Sequence, residues 1–173
     1  DRSLPNVFGS SIPSAGAPSV ATLSVSLPDA APARHIRLEL DFRVDSLGDI
    51  SAGQDEDLFS LTLSNGSSAS TEYAAHFHAD QLVVSVGSPP LILGFSAPPK
   101  PGVWTHAVFD TQLDANFFSA TIGVTTQTNM LVDTARANTR PKVSVGLLTS
   151  GSSTGTSISY DNVILVADNV DAD

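Results

Sequence analysis

Glu39 and Asp41 stand two residues apart inside the run His35-Ile36-Arg37-Leu38-Glu39-Leu40-Asp41-Phe42-Arg43-Val44-Asp45. On a strand that spacing puts both carboxyls on one face, roughly 7 Å apart by strand rise. Paired carboxyls about 5–5.5 Å apart across a glycosidic bond perform retaining hydrolysis, and carboxylates along a concave sheet can hydrogen-bond sugar hydroxyls. The plainer reading is a solvated strand face whose acids pair with Arg37 and Arg43. A second group, Glu72, His76 and His78, also falls on one face of its own segment. His at i and i+2 with a nearby carboxylate can bind zinc, or line a sugar groove as donors; the plainer reading is a wet strand face. Asp161, followed by Asn162, interrupts an apolar closing segment. Such a pair in a strand marks a bulge or a rim site, where the carboxylate either caps backbone N–H groups or supplies hard oxygen to calcium. These positions define the expected sites: Glu39, Asp41, His76 and His78 for a ligand, and Asp161 for a calcium ion.

Other chemistries find little support. There is no cysteine, so thiolate sites, Cys nucleophiles and disulfides are excluded. No G-x-S-x-G or Gly-rich phosphate loop occurs, and His35, His76, His78 and His106 have no oriented partner visible in sequence. Asp45, Asp49, Asp55, Glu56 and Asp57 crowd one loop, but without the spacing of an EF-hand. The 173-residue chain carries 18 acids against 8 bases, a net charge of −10. That surface repels phosphate backbones and anionic lipid, which disfavours nucleic-acid and membrane-surface roles. It suits neutral partners such as glycans, basic proteins and divalent cations. No apolar run reaches the ~18 residues of a membrane helix.

The elements that must position these residues read as strands. Ile36, Leu38, Leu40, Phe42 and Val44 alternate with Arg37, Glu39, Asp41, Arg43 and Asp45, the signature of a half-buried antiparallel strand. Val20–Leu27, Leu58–Leu63, Tyr73–His78, Gln81–Val86, Leu91–Phe95, Val103–Asp110, Phe117–Gln127, Lys142–Leu148 and Thr156–Val166 continue the pattern. Ser64-Asn65-Gly66 and Ala79-Asp80 read as turns, and Ala97 to Gly102 as a Pro-rich break. The spacing predicts about ten strands, with one helical turn within Asn129–Arg136. Residues 1–19, rich in Pro, Ser, Gly and Ala, read as a tether or edge segment that Val7 and Phe8 can pin to the body; residues 20–173 read as a single domain. A chain starting at Asp1 is expected to have lost a leader, which points to an exported or surface-attached protein.

Two stretches carry a family resemblance. Pro101-Gly102-Val103-Trp104-Thr105-His106-Ala107-Val108-Phe109-Asp110 resembles the P-G-x-W-x-H-V strand of laminin-G-like and concanavalin A-like jelly rolls. Val143-Ser144-Val145-Gly146-Leu147 and Ser159-Tyr160-Asp161-Asn162-Val163 are similar to the family's late V-x-x-G strand and its closing D-N-V strand. The resemblance implies an all-β, antiparallel two-sheet sandwich with Trp104 in the core, and calcium near the final strand. It also implies a non-catalytic recognition module with a glycan or polysaccharide as leading partner. In the same broad fold, laminarinase-type glucanases carry an E-x-D-x-(x)-E strand. Glu39 and Asp41 match its first two acids, while Arg43 or Val44 stands where the third belongs. A glycoside hydrolase on this pair, and an adhesion module that binds another protein, are the alternative expectations.

Overall fold

The computed structural model describes residues 8–11, 19–26, 34–48, 55–64, 70–78, 81–87, 91–95, 99–113, 115–130, 140–149 and 155–168. They form twelve strands, all paired antiparallel. One six-stranded sheet has the order β1 (Phe8–Ser11), β12 (Ser157–Asp168), β3 (His35–Ser46), β8 (Trp104–Gln112), β9 (Phe117–Ile122), β10 (Thr125–Met130). The other has the order β2 (Ser19–Ser26), β11 (Arg140–Thr149), β4 (Asp55–Ser64), β5 (Ser70–His78), β6 (Gln81–Val86), β7 (Leu91–Phe95). We call them the β3 sheet and the β4 sheet. Among the described residues no helix is long and apolar enough to cross a membrane.

The alternation that marks β3 in the sequence is kept in three dimensions. Ile36, Leu38, Leu40, Phe42 and Val44 are at most 1% exposed, and their odd-numbered neighbours face outward. Burying one face of each sheet against the other is what makes period-two strands stable here. Aromatic rings join the two inner faces: Phe42 and Phe59 at 5.7 Å, Phe59 and Phe109 at 5.2 Å, Phe109 and Phe118 at 5.6 Å, Phe118 and Tyr73 at 4.3 Å between centroids. Tyr160 donates its hydroxyl to the carbonyl of Leu58 across the sandwich at 2.8 Å. Burial raises the pKa of both Tyr73 and Tyr160, so the chain's two tyrosines are neutral core residues.

Twelve strands replace the ten expected. Phe8–Ser11 is an edge strand on β12, with Phe8 opposite Tyr160, rather than a free tether. Phe117–Gln127 is two strands, because Gly123 with φ 61° makes a two-residue hairpin turn with Val124. Asn129 and Met130 belong to β10, so the helical turn does not begin there; the rest of that segment lies outside the described residues. The Ala79-Asp80 turn and Asn65-Gly66 also lie outside them. At Lys100-Pro101-Gly102-Val103 the chain turns with Gly102 at φ 79°, and the Val103 amide reaches the Lys100 carbonyl at 3.2 Å. Proline then glycine at the two central positions is what a type II turn requires.

Candidate functional site

The expected ligand residues fall into two groups on opposite outer faces of the sandwich. Glu39 and Asp41 stand on the β3 sheet, and His76 and His78 on the β4 sheet. One concave surface lined by all four is therefore ruled out, because the two sheets are stacked core to core.

On the β3 face each acid is already matched. Arg37 donates to Glu39 Oε2 from Nε at 3.1 Å and from Nη2 at 2.9 Å. Asp41 is held by His106 Nδ1 at 2.8 Å and by Asn162 Nδ2 at 2.7 Å. Asp110 lies 3.2 Å from His35 Nε2 and 3.5 Å from Arg37. Arg43 donates to Asp45 at 2.6 Å rather than to Asp41, and its guanidinium sits 5.0 Å over the Trp104 ring. Trp104 is 40% exposed, so it does not occupy the core that the family resemblance implies. The reason is register: Trp104 opposes Arg43 on β3, and that register puts it on the outer face with His106. A strip of alternating charges satisfied by its own neighbours describes this face.

Asp161 and Asn162 occupy a bulge between Asp161 and Ile164. The Asn162 amide donates to Asp161 Oδ1 at 2.8 Å, and Asn162 has φ 51°. Asn is among the residues that adopt this left-handed backbone most readily. Among the described residues no group of three or more His, Asp or Glu side chains converges to hold a metal ion.

The outer face of the β4 sheet is different. A groove of about 330 Å³ crosses β2, β11, β4 and β5. Hydroxyls line it: Thr22 and Ser24 from β2, Ser60 and Thr62 from β4, and Ser144 from β11. Asp57 from β4, Glu72 from β5 and Lys142 from β11 supply its charges, and Leu148 gives an apolar edge. Two irregularities shape it. β4 bulges between Asp57 and Phe59, and β11 bulges between Val145 and Leu148, where Gly146 has φ 127°. Bulges bend a strand and re-aim its side chains, and here they turn Phe59 into the core while Asp57 faces the groove.

Burial, then Glu72, then Asp55, push the Asp57 carboxyl up to about 6 from 3.8. His76 lies directly across from Asp57 on β5 and is 5% exposed. Burial holds its pKa below the ordinary imidazole value against the opposing pull of Asp55, so at neutral pH the ring is uncharged. Among the described residues its Nδ1 has no hydrogen-bond partner. His78 is anchored to Asp55 at 2.7 Å, with His76 Nε2 3.9 Å from the same oxygen. His76 and His78 thus flank the acidic end of the groove, and Glu72 lines it farther along.

Sequence reasoning named Glu72 with His76 and His78, for zinc or a sugar groove, but missed Asp57, Lys142 and Ser144. The alternation of Lys142 and Ser144 with Val143 and Val145 carried a usable signal for an outward polar face. Asp57 had none, because the bulge beside it breaks the alternation and hides it in what looks like an acidic loop.

No family model and no curated protein matches the chain. Solved structures do. Alginate lyase A1-II′ of polysaccharide lyase family 7, in complex with substrate (GGMG), is similar at a TM-score of 0.70 and 11% identity, over 98% of this chain and 80% of that one. The CBM2 module of the evolved Dit of Lactobacillus casei BL23 phage J-1 is similar at 0.59 and 15% identity, over 90% and 77%. The binding domain of botulinum neurotoxin DC in complex with SialylT is similar at 0.63 and 10% identity, over 99% and 41%. At these identities the likeness is one of fold, and the fold is an all-β concanavalin A-like jelly roll.

Proposed function

We propose that the chain is a carbohydrate-recognition module whose ligand lies in the groove over β2, β11, β4 and β5. The observation that carries this reading is the lining itself. Five hydroxyls, two carboxylates and one ammonium surround a concavity with an apolar edge at Leu148. Sugar hydroxyls need donors and acceptors in number, and an apolar strip suits the C–H face of a pyranose ring. Support also comes from fold neighbours whose names speak of an alginate lyase in complex with substrate, a CBM2 module and SialylT. The reading moves the ligand from Glu39 and Asp41 to Asp57 and Glu72 and keeps His76 and His78 at the rim. An exported or surface-attached location belongs to the same proposal.

The test is an oligosaccharide binding series on purified chain and four variants. Glu72→Gln and Lys142→Ala are expected to weaken binding about tenfold, the range of one or two lost polar contacts. Glu39→Gln and His106→Ala, on the far face, are expected to leave it unchanged. Loss of binding in the far-face pair with retention in the groove pair would move the site to the β3 sheet.

A second reading, glycoside hydrolysis, is favoured by one observation: Asp57, raised to about 6, shares the groove with a second carboxyl, Glu72. Carboxyls whose environments separate their pKa values are how such enzymes divide acid and base roles. It requires release of reducing ends from a bound oligosaccharide and loss of that turnover in Glu72→Gln. Binding without turnover keeps the module reading.

A further inference from the structure

We infer that the groove selects an uncharged glycan over a uronate, sialylated or amino-sugar chain. This inference rests on the carbohydrate-recognition reading and adds the substrate class.

Among the described residues, the charges facing the groove come from three strands. β4 contributes Asp57, β5 contributes Glu72, and β11 contributes Lys142. Two carboxylates against one ammonium leave one negative charge in excess. Lys142 makes no ion pair among the described residues, so its charge is available to soften the acids but cannot neutralise both. The histidines do not alter the balance: His76 is uncharged at neutral pH, and His78 is bound to Asp55. No arginine lines the groove among the described residues. Carboxylate recognition is where the planar, two-pronged guanidinium excels, and Arg37 and Arg43 are committed to Glu39 and Asp45 on the other sheet. A uronate chain would bring one more negative charge per sugar toward Asp57 and Glu72, within a protein whose net charge is already −10.

An uncharged glycan suits the same groups. Each carboxylate accepts from sugar hydroxyls in strong, charge-assisted hydrogen bonds, while Thr22, Ser24, Ser60, Thr62 and Ser144 both donate and accept. Lys142 donates to ring or hydroxyl oxygens. An amino-sugar polymer satisfies the acids but sets its ammonium groups against Lys142.

Calorimetric titration of matched hexasaccharides separates the possibilities: uncharged gluco-, manno- and xylo-oligomers, a galacturonate, a mannuronate and a glucosamine oligomer. At about 0.15 M salt an uncharged hexamer is expected to bind at least about tenfold tighter than either uronate or the glucosamine oligomer. Its affinity should change less than about twofold as salt rises about tenfold, because no charge on the ligand is being matched. Glu72→Gln should then cost the uncharged ligand about tenfold, and a thermal melt of that variant shows that the fold is intact. Tighter binding of a uronate or glucosamine hexamer overturns this inference while the carbohydrate reading stands. No binding by any hexamer overturns the carbohydrate reading, and this inference falls with it.

Discussion

An ionised Asp57 is disfavoured by burial and by the negative Glu72 and Asp55 around it, which is why its carboxyl titrates at about 6 rather than 3.8. Between those two values the folded chain holds a proton that the unfolded chain has released, so stability falls as pH rises through this window. Below about pH 3 both states are protonated and no penalty remains; well above about pH 6 the penalty is complete. Asp57→Asn is therefore expected to raise stability by roughly 1–3 kcal/mol at about pH 7.5 and to leave it unchanged at about pH 3, read by denaturant midpoint at both values. A carboxyl held above its ordinary range in a groove makes Asp57 a candidate functional position. Asp161 gives the contrasting case. Its Oδ1 is spent on the Asn162 amide, so exchanging a chelator for millimolar calcium is expected to leave Tm unchanged; a rise would reveal a native ion site by mass action.

At the scale of the element, the strands were legible and their irregularities were not. β3 shows its inner and outer faces plainly because a strand exposes successive side chains on opposite sides, and hydrophobic burial then selects the register. The bulges of β4, β11 and β12 leave no comparable pattern, since one extra residue on one strand merely looks like lost alternation. Trp104 shows the same limit: the Pro101-Gly102 turn beside it was readable, but its outer-face position depends on pairing with Arg43. In β12, Asn162 combines a left-handed backbone with a 2.7 Å hydrogen bond to Asp41. Asn162→Ala is expected to cost about 1–2 kcal/mol, with Asn162→Gly recovering the backbone share and not the hydrogen bond. Equal losses in the two variants, measured by thermal melt, would mean that the side-chain bond alone matters.

Across the whole molecule, stability resides between the sheets. Phe109 contacts both Phe59 and Phe118 and is fully buried, so Phe109→Ala is expected to cost about 3–5 kcal/mol by chemical denaturation. Sheet order also governs what can act together. By itself the sequence determined that the chain is an all-β sandwich, that its surface is acidic and poor in cations, and which residues of β3 face inward. Those properties follow from composition and from a local period of two, which neighbouring residues set without knowledge of distant ones. Only the tertiary structure decided that Glu39 and Asp41 lie on one outer face and His76 and His78 on the other. It alone joined Asp57, Glu72 and Lys142, three residues distant in the chain, into one groove. Pairing of β11 with β4 and of β4 with β5 brings them together, and such pairings are fixed by which long-range registers bury the most apolar surface, a quantity that no single segment carries.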